Sequence, residues 1–202
     1  MSDGNVTRGY GLLETWLANQ RVKIANKLIP PAARYGRLLD IGCGAYPFFL
    51  AHTVFKEKFG VDQAVRNVND ESISLIPFDL CQKKTLPFMD NYFDVVTMLA
   101  VFEHLEPAEL QDVLPEIRRV LKPGGLFVLT TPAKWTDKLL RMMSMLRLVS
   151  RDEIKDHKYA YKHAEIVFHL CRANFRESHI SYGYFELFMN LWVTAAKEGQ
   201  AI

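Results

Sequence analysis

The amino-acid sequence predicts an α/β fold in which a mostly parallel sheet carries helices on both faces. Short apolar segments typical of buried strands alternate with longer segments whose apolar residues recur at helical spacing. Residues 93–100, Phe-Asp-Val-Val-Thr-Met-Leu-Ala, are apolar on both faces, which is typical of a central parallel strand. Strand–helix alternation of this kind indicates crossover connections that place helices on both sides of the sheet.

Apolar periodicity, glycines and prolines place the individual elements along the chain. The predicted strands, five followed by two closing ones, cover residues 38–41, 58–62, 73–79, 93–100 and 126–131 and two segments within 175–196. The predicted helices cover residues 10–29, 47–55, 107–121 and 164–174. Pro30 and Pro31 end the first helix, and Pro115 inside the third predicts a kink or a late helix start.

The chain is expected to form one domain with an N-terminal extension. It has no internal repeat, low-complexity tract or Gly/Ser linker. Residues 1–34 are interpreted as a helical extension and residues 35–202 as the main domain. Between about residues 133 and 163 the strand–helix alternation breaks, and this insertion is placed to form a lid.

Composition is typical of a soluble globular protein, with 49% hydrophobic and 24% charged residues. The formal net charge of +2, with scattered Lys and Arg, predicts no nucleic-acid partner. The three cysteines lie far apart without C-x-x-C spacing, so we expect reduced thiols and a cytoplasmic protein. No apolar run approaches the ~18 residues of a membrane span, so no stable membrane insertion is expected. The sequence carries no signal of oligomeric state.

A glycine turn after the first strand is typical of sites for adenosine-type cofactors. Gly42 and Gly44 allow a sharp turn and the close approach of a ligand, because neither has a Cβ. Asp62 follows about twenty residues later, where a carboxylate can accept both ribose hydroxyls. Pro47 stands where a dinucleotide fingerprint would have a small residue, and it lacks an N–H for phosphate. A nicotinamide oxidoreductase is therefore the weaker alternative.

Six motifs follow one another in order between Arg37 and Pro132. They are Leu38-Leu39-Asp40-Ile41-Gly42-Cys43-Gly44, Gly60-Val61-Asp62, Phe78-Asp79-Leu80, Leu86-Pro87-Phe88 with Asn91-Tyr92-Phe93-Asp94-Val95-Val96, Val101-Phe102-Glu103-His104-Leu105, and Arg119-Val120-Leu121-Lys122-Pro123-Gly124-Gly125. Together they resemble the class I S-adenosylmethionine (SAM)-dependent methyltransferases, and most closely the small "type 11" methyltransferase family. Tyr46 departs from this pattern, because many members have a third glycine there. The resemblance implies a Rossmann-like seven-stranded fold, SAM as the cofactor and an enzyme that transfers its methyl group.

The resemblance also implies which residues contact the cofactor. They are Asp40, Gly42, Gly44, Asp62, Asp79, Leu80 and Ala100. Gly42 and Gly44 would border the methionine part of SAM, and Asp40 would orient it through water or backbone amides. Asp62 would hold the ribose.

Asp79 and Asp94 also have structural interpretations. By the resemblance, Asp79 and the amide of Leu80 would meet the adenine edge, whereas Asp79 taken alone would be interpreted as a helix N-cap. For Asp94 we favour the structural interpretation, in which the carboxylate stabilises a turn and does not contact ligand.

Methyl transfer from a sulfonium is an in-line displacement, so the protein mainly aligns the acceptor and excludes water. A general base helps if the acceptor is a hydroxyl. His104 is the first candidate because it follows the fourth strand, and His157 and His163 flank the insertion. A surface or capping role is the alternative for each histidine. No cluster of carboxylates indicates a catalytic metal.

The expected activity is methylation of a small molecule, at oxygen more than at nitrogen or carbon. A sugar, a glycolipid or another bulky metabolite is expected, because the insertion resembles those of methyltransferases from cell-surface glycan pathways. Its Met-rich run 139–149 could contact an apolar acceptor, or it could form a helix packed on the sheet. Tyr159 and Tyr161 could bind the acceptor or serve in packing. The alternative function is a SAM-binding regulatory subunit without turnover, since no residue is unmistakably catalytic.

Overall fold

Seven strands form a single mixed sheet in the computed structural model, which describes residues 12–65, 72–134, 159 and 161–199. The strands are β1 (Arg37–Ile41), β2 (Glu57–Asp62), β3 (Ile73–Pro77), β4 (Phe93–Leu99), β5 (Leu121–Pro132), β6 (Ile180–Phe185) and β7 (Asn190–Ala196). Their order across the sheet is β3-β2-β1-β4-β5-β7-β6. The first five pair in parallel, and β7 runs antiparallel to both β5 and β6.

Helices cover both faces of this sheet. They are α1 (Leu12–Leu28), α2 (Phe48–Ala51), α3 (Pro107–Val120) and α4 (His163–Arg172), with short 3₁₀ helices at Pro31–Tyr35, Phe102–His104 and Glu177–His179. One hydrophobic cluster contains buried residues of α1 and α2, and the other contains those of α3 and α4. The predicted fold class is therefore confirmed. Within the described part of the chain, no helix is both long and apolar enough to span a bilayer.

Contacts with α1 and with Arg34 explain why the second helix is shorter than predicted. Helix α2 ends at Ala51, whereas the sequence pattern predicts a helix to residue 55. The Thr53 hydroxyl donates a hydrogen bond to Asn26 Oδ1 at 2.7 Å, and the Arg34 guanidinium bonds both side chains. These contacts draw the chain back onto α1, so the helix cannot continue.

The opposite face is built on α3, whose apolar stripe is buried as its spacing predicts. The stripe consists of Leu110, Val113, Leu114, Ile117 and Val120. Burial of side chains of this size contributes about 1.5–3 kcal/mol each. Helix α3 runs from Pro107 without a late start, and Pro115 lies within it on the exposed side. The carbonyl of Gln111 that Pro115 leaves without its helical N–H partner therefore belongs to an exposed residue, where water can bond it.

A bulge near the start of β5 depends on a glycine. The register passes from Phe93 opposite Leu121 to Val95 opposite Leu126, so residues 122–125 lie opposite Asp94 alone. Asp94 Oδ2 accepts hydrogen bonds from the Arg37 N–H at 2.8 Å and from Lys122 Nζ at 2.7 Å. These bonds agree with the structural interpretation of Asp94.

We expect Gly125→Ala to lower the free energy of unfolding by about 1–3 kcal/mol, because overpacking has this cost. A Cβ at Gly125 would lie 2.8 Å from the Lys122 carbonyl oxygen and 3.2 Å from that of Asp94, and backbone atoms yield little. Urea unfolding followed by circular dichroism measures the change. Gly199→Ala is the matched control, since a Cβ there meets nothing within 4 Å. Equal stability of the two variants would contradict the packing role of Gly125.

Candidate functional site

The turn after β1 lies at the edge of the sheet where the parallel strands end. Gly42 and Gly44 both have left-handed backbones, with φ of 74° and 76°. A Cβ at Gly42 would lie 2.3 Å from Val101 Cγ2, so only glycine fits against the segment after β4. At Gly44 the nearest atom to such a Cβ is the Tyr46 carbonyl oxygen at 3.8 Å. The turn is therefore closed at Gly42 and leaves room for a ligand at Gly44.

Asp62 connects this turn to the end of β2. Its Oδ2 accepts the Gly44 N–H at 3.0 Å, and its Oδ1 accepts the Ala64 N–H at 2.7 Å. A carboxylate has about four lone-pair sites, so the half-buried Asp62 can accept further hydrogen bonds, such as those of two ribose hydroxyls. Tyr46, at the position of the family's third glycine, has an exposed side chain and does not fill the turn.

Asp40 is a second carboxyl group of the site, and it is only 3% exposed. The Thr97 hydroxyl of β4 donates to Asp40 Oδ1 at 2.6 Å. Burial raises the pKa of Asp40 to about 7, and the negative charge of Asp62 acts in the same direction, against the Thr97 hydrogen bond. The protonated form of Asp40 is therefore favoured far more than that of a carboxyl group in water.

Cys43, between the two glycines, is buried and has a structural role. Burial raises the pKa of its thiol well above its usual value, with the charges of Asp40 and Asp62 as further causes. The thiol is therefore neutral and a poor nucleophile. Among the residues described, no three His, Cys, Asp or Glu side chains are grouped so that they could hold a metal ion.

The loop after β3 lies beside Asp62, because the Phe78 N–H donates to the Asp62 carbonyl at 3.1 Å. Asp79 Oδ1 accepts the N–H groups of Cys81 at 2.9 Å and Gln82 at 3.1 Å. Asp79 therefore caps a turn, whereas the structural interpretation predicts a helix N-cap, and no helix begins at residues 80–82. Leu80 is half-buried against the core. The adenine contacts of Asp79 and Leu80 stay predictions.

The chain after β4 closes the site from the other side. Ala100 has a left-handed backbone with φ of 57°, and its N–H donates to the Thr130 carbonyl at 2.9 Å. Such a conformation costs a non-glycine residue about 1–2 kcal/mol, and it turns the following Val101 toward Gly42. The sequence prediction includes Ala100 but not Val101, whose role is visible only from the packing.

Two of the three candidate histidines, His104 and His163, lie apart in the structure. His104 is half-buried in the 3₁₀ helix after β4, at the edge that carries the glycine turn. His163 begins α4, and its Nε2 donates to the Gly183 carbonyl of β6 at 3.0 Å, three strands from β4. Burial lowers the pKa of His163. His157 lies outside the described residues, and the catalytic roles of all three stay predictions.

Glu103 is a buried group at this edge that the sequence prediction does not include. It is 2% exposed, and its Oε2 accepts the Thr131 hydroxyl at 2.9 Å, which links the ends of β4 and β5. The Glu103 carbonyl accepts the N–H of Tyr159 at 3.1 Å. The sequence signal that could have indicated a buried acid is the position of Glu103 among apolar residues, with Val101-Phe102 before it and Leu105 after it.

Tyr161 packs against the same segment. Its hydroxyl donates to the Leu105 carbonyl at 2.8 Å, and its ring meets Phe102 edge to face. Burial raises the pKa of Tyr161 to about 12. Of the two interpretations of Tyr161, the structure supports packing, while Tyr159 remains partly exposed.

We expect Asp40 to make folding less favourable as pH rises. Its folded pKa of about 7 exceeds the usual unfolded value of about 3.9. Its contribution to the free energy of unfolding is therefore fully present below pH ~4 and is lost as the pH rises through ~7. Asp40→Asn keeps an acceptor for Thr97 but cannot ionise. Its free energy of unfolding, relative to the unsubstituted protein, should therefore rise by about 1–3 kcal/mol between pH 5 and pH 8. Urea unfolding at both pH values measures this difference, and Asp112→Asn serves as the control. An equal change in the free energy of unfolding of Asp40→Asn and of the unsubstituted protein would refute the prediction.

Residues 39–129 match the type 11 family described as "Methyltransferase domain". Curated relatives include the tRNA N(3)-cytidine methyltransferase METTL2 of Gallus gallus, 30% identical over 56% of this chain and 35% of the relative. The ubiquinone/menaquinone biosynthesis C-methyltransferase UbiE of Paraburkholderia xenovorans is 37% identical over 34% of this chain and 27% of the relative. The match thus spans about a third or less of the length of these relatives.

Solved structures share the fold at low sequence identity. A Haloferax volcanii methyltransferase in complex with the Trm112 activator has a TM-score of 0.66 at 18% identity, covering 94% of this chain and 99% of that one. Haemonchus contortus phosphoethanolamine N-methyltransferase 2, with S-adenosylhomocysteine, has a TM-score of 0.65 at 17% identity, covering 90% and 53%. Residues 39–129 thus resemble a methyltransferase domain, and the chain shares the fold of these solved methyltransferases.

Proposed function

We propose that this chain binds SAM at the turn after β1 and transfers its methyl group to a small-molecule acceptor. The observation that carries the proposal is the pairing of Gly44 and Asp62. The open space at Gly44 admits a ligand, and the Asp62 carboxylate is bonded to the Gly44 amide at 3.0 Å. A ribose hydroxyl on Asp62 would therefore place the adjoining part of the cofactor over the turn.

The residues at the strand ends suit an adenosine cofactor with a charged sulfur. Gly42 and Gly44 would border the methionine part, Asp40 would orient it, and Asp79 and Leu80 would lie along adenine. SAM supplies a methyl group on a sulfonium, which is already an excellent leaving group. The chain's part is to align the acceptor and exclude water.

We further propose that the acceptor is methylated at oxygen and is a sugar, a glycolipid or another bulky metabolite. His104 lies at the edge of β4, where a general base for a hydroxyl is needed. The described residues on both sides of the expected insertion lie at this edge, since Pro132 ends β5 there and the Tyr159 N–H donates to the Glu103 carbonyl at 3.1 Å. This arrangement suits an insertion next to the acceptor.

The relatives do not select one acceptor, because their names refer to tRNA cytidine and to C-methylation in ubiquinone/menaquinone biosynthesis. The formal net charge of +2 favours a small molecule over tRNA for this chain. A cytoplasmic location belongs to the same proposal, since Cys43, Cys81 and Cys171 are free thiols.

Methyl transfer is tested with SAM labelled at the methyl group and a panel of sugars, glycolipid headgroups and phenolic alcohols. Isothermal titration with S-adenosylhomocysteine is run in parallel. We expect cofactor binding and labelled product. Binding without any labelled product would favour the alternative, a SAM-binding regulatory subunit, and no binding at millimolar ligand would refute the cofactor.

We expect Asp62→Ala to weaken S-adenosylhomocysteine binding by about 10- to 100-fold. A hydrogen bond to a charged group contributes about 1.5–3 kcal/mol, which corresponds to this range. Isothermal titration measures the affinity. Asp112→Ala removes an exposed carboxylate on α3 that pairs with Lys84, and it should bind like the unsubstituted protein. Unchanged affinity of Asp62→Ala would show that this carboxylate does not hold the ribose.

A further inference from the structure

We propose that Thr130, Glu186 and Asn190 form a recognition site for hydroxyl groups of the acceptor. The site lies on the α1 face of the sheet, near the end of β4. It is distinct from the cofactor turn and from His104 and His163. The inference rests on the proposed methyl transfer and extends it to the means by which the acceptor is selected.

The strand register places these residues on one face. Thr130 of β5 pairs with Trp192 of β7, and Asn190 is two residues from Trp192, so all three side chains point the same way. Val128, two residues before Thr130, belongs to the core cluster that contains Val22 of α1. Thr130 and Asn190 therefore both face α1.

Glu186 joins this face from the hairpin between β6 and β7. Asn190 Nδ2 donates a hydrogen bond to Glu186 Oε2. Arg21 of α1 attracts the carboxylate, yet burial has the larger effect and raises the pKa of Glu186. Asn190 itself is buried. One oxygen of the Glu186 carboxylate is thus held by Asn190 of β7, and the carboxylate lies on the face of the sheet that α1 covers.

Two buried oxygen atoms of this group have no hydrogen-bond partner among the described residues. They are Oγ1 of Thr130, whose residue is 0% exposed, and Oε1 of Glu186. An unpaired buried polar group costs about 1–3 kcal/mol, and more when it is charged. Native proteins carry few such groups, and each needs an explanation. A ligand that donates to Glu186 Oε1 and bonds the Thr130 hydroxyl would satisfy both.

The position of the group also indicates the shape of the ligand. The Thr130 carbonyl accepts the Ala100 N–H at 2.9 Å, so β5 is joined directly to the chain that closes the cofactor turn. Asn190 on β7 lies two strands from β4, which is about 10 Å at the usual strand spacing. A ligand that bonds both Thr130 Oγ1 and Glu186 Oε1 needs at least two polar groups, one of them a donor. A sugar ring with hydroxyls on both sides has this property.

The test is saturation-transfer NMR on the protein loaded with S-adenosylhomocysteine. The probes are methyl glycosides of glucose, galactose, mannose and rhamnose, with tetrahydropyran as the ring without hydroxyls and butylammonium as an amine. We expect binding of at least one glycoside and not of tetrahydropyran.

Glu186→Gln, which places an amide N–H₂ where Oε1 accepts, should weaken that binding at least fivefold, and so should Thr130→Val. Glu177→Gln makes the same chemical change at the opposite end of β6 and should leave it unchanged.

Two further measurements separate this inference from the proposed function. Titration with S-adenosylhomocysteine should give the same affinity for all variants within about twofold, and failure of the unsubstituted protein to bind it would overturn both proposals. Thr130→Val should not lower the stability toward urea, because it removes an unpaired hydroxyl at nearly constant volume. With cofactor bound, no glycoside binding, equal binding by the variants, or binding of butylammonium alone would overturn the hydroxyl site and leave methyl transfer standing.

Discussion

The contact between Gly42 and Val101 is the constraint on which the candidate site depends. Strands β1 and β4 are parallel neighbours, so their carboxyl ends meet at one edge of the sheet. Because Gly42 lacks a Cβ, the Val101 side chain occupies the space that a Cβ would need. The Gly42 N–H also donates to the Val61 carbonyl of β2 at 2.8 Å. The ends of three strands are thereby held together, and the positions of Gly44 and Asp62 follow.

Charge at this edge is consistent with the proposed cofactor. Asp40 and Asp62 lie on adjacent strands, and the charge of Asp62 disfavours ionisation of Asp40. Burial makes the ionised form of Asp40 costly, whereas a positively charged ligand beside it would favour ionisation. A sulfonium cofactor therefore suits two carboxyl groups better than a pyrophosphate would. The proposed hydroxyl site lies across β5 and β7, where buried oxygen atoms of Thr130 and Glu186 have no hydrogen-bond partner among the described residues.

Much of the fold could be predicted because its information is local. Residues 93–99 are apolar on both faces, and only a strand between two others buries both faces. The stripe of α3 has the helical period, which specifies one buried face. The glycines of the turn and Asp62 were predictable for a similar reason: left-handed backbone needs glycine, and the ends of parallel strands share an edge.

By itself, the sequence determined the fold class and the place of the glycine turn, since these depend on spacing along the chain. Tertiary structure alone decided which polar groups are buried together. The early end of α2 comes from Thr53 meeting Asn26, and the burial of Glu103 from Thr131. The juxtaposition of Glu186 and Asn190 depends on a hairpin geometry that neither residue encodes. Such contacts depend on packing between distant segments, and periodicity carries no information about it.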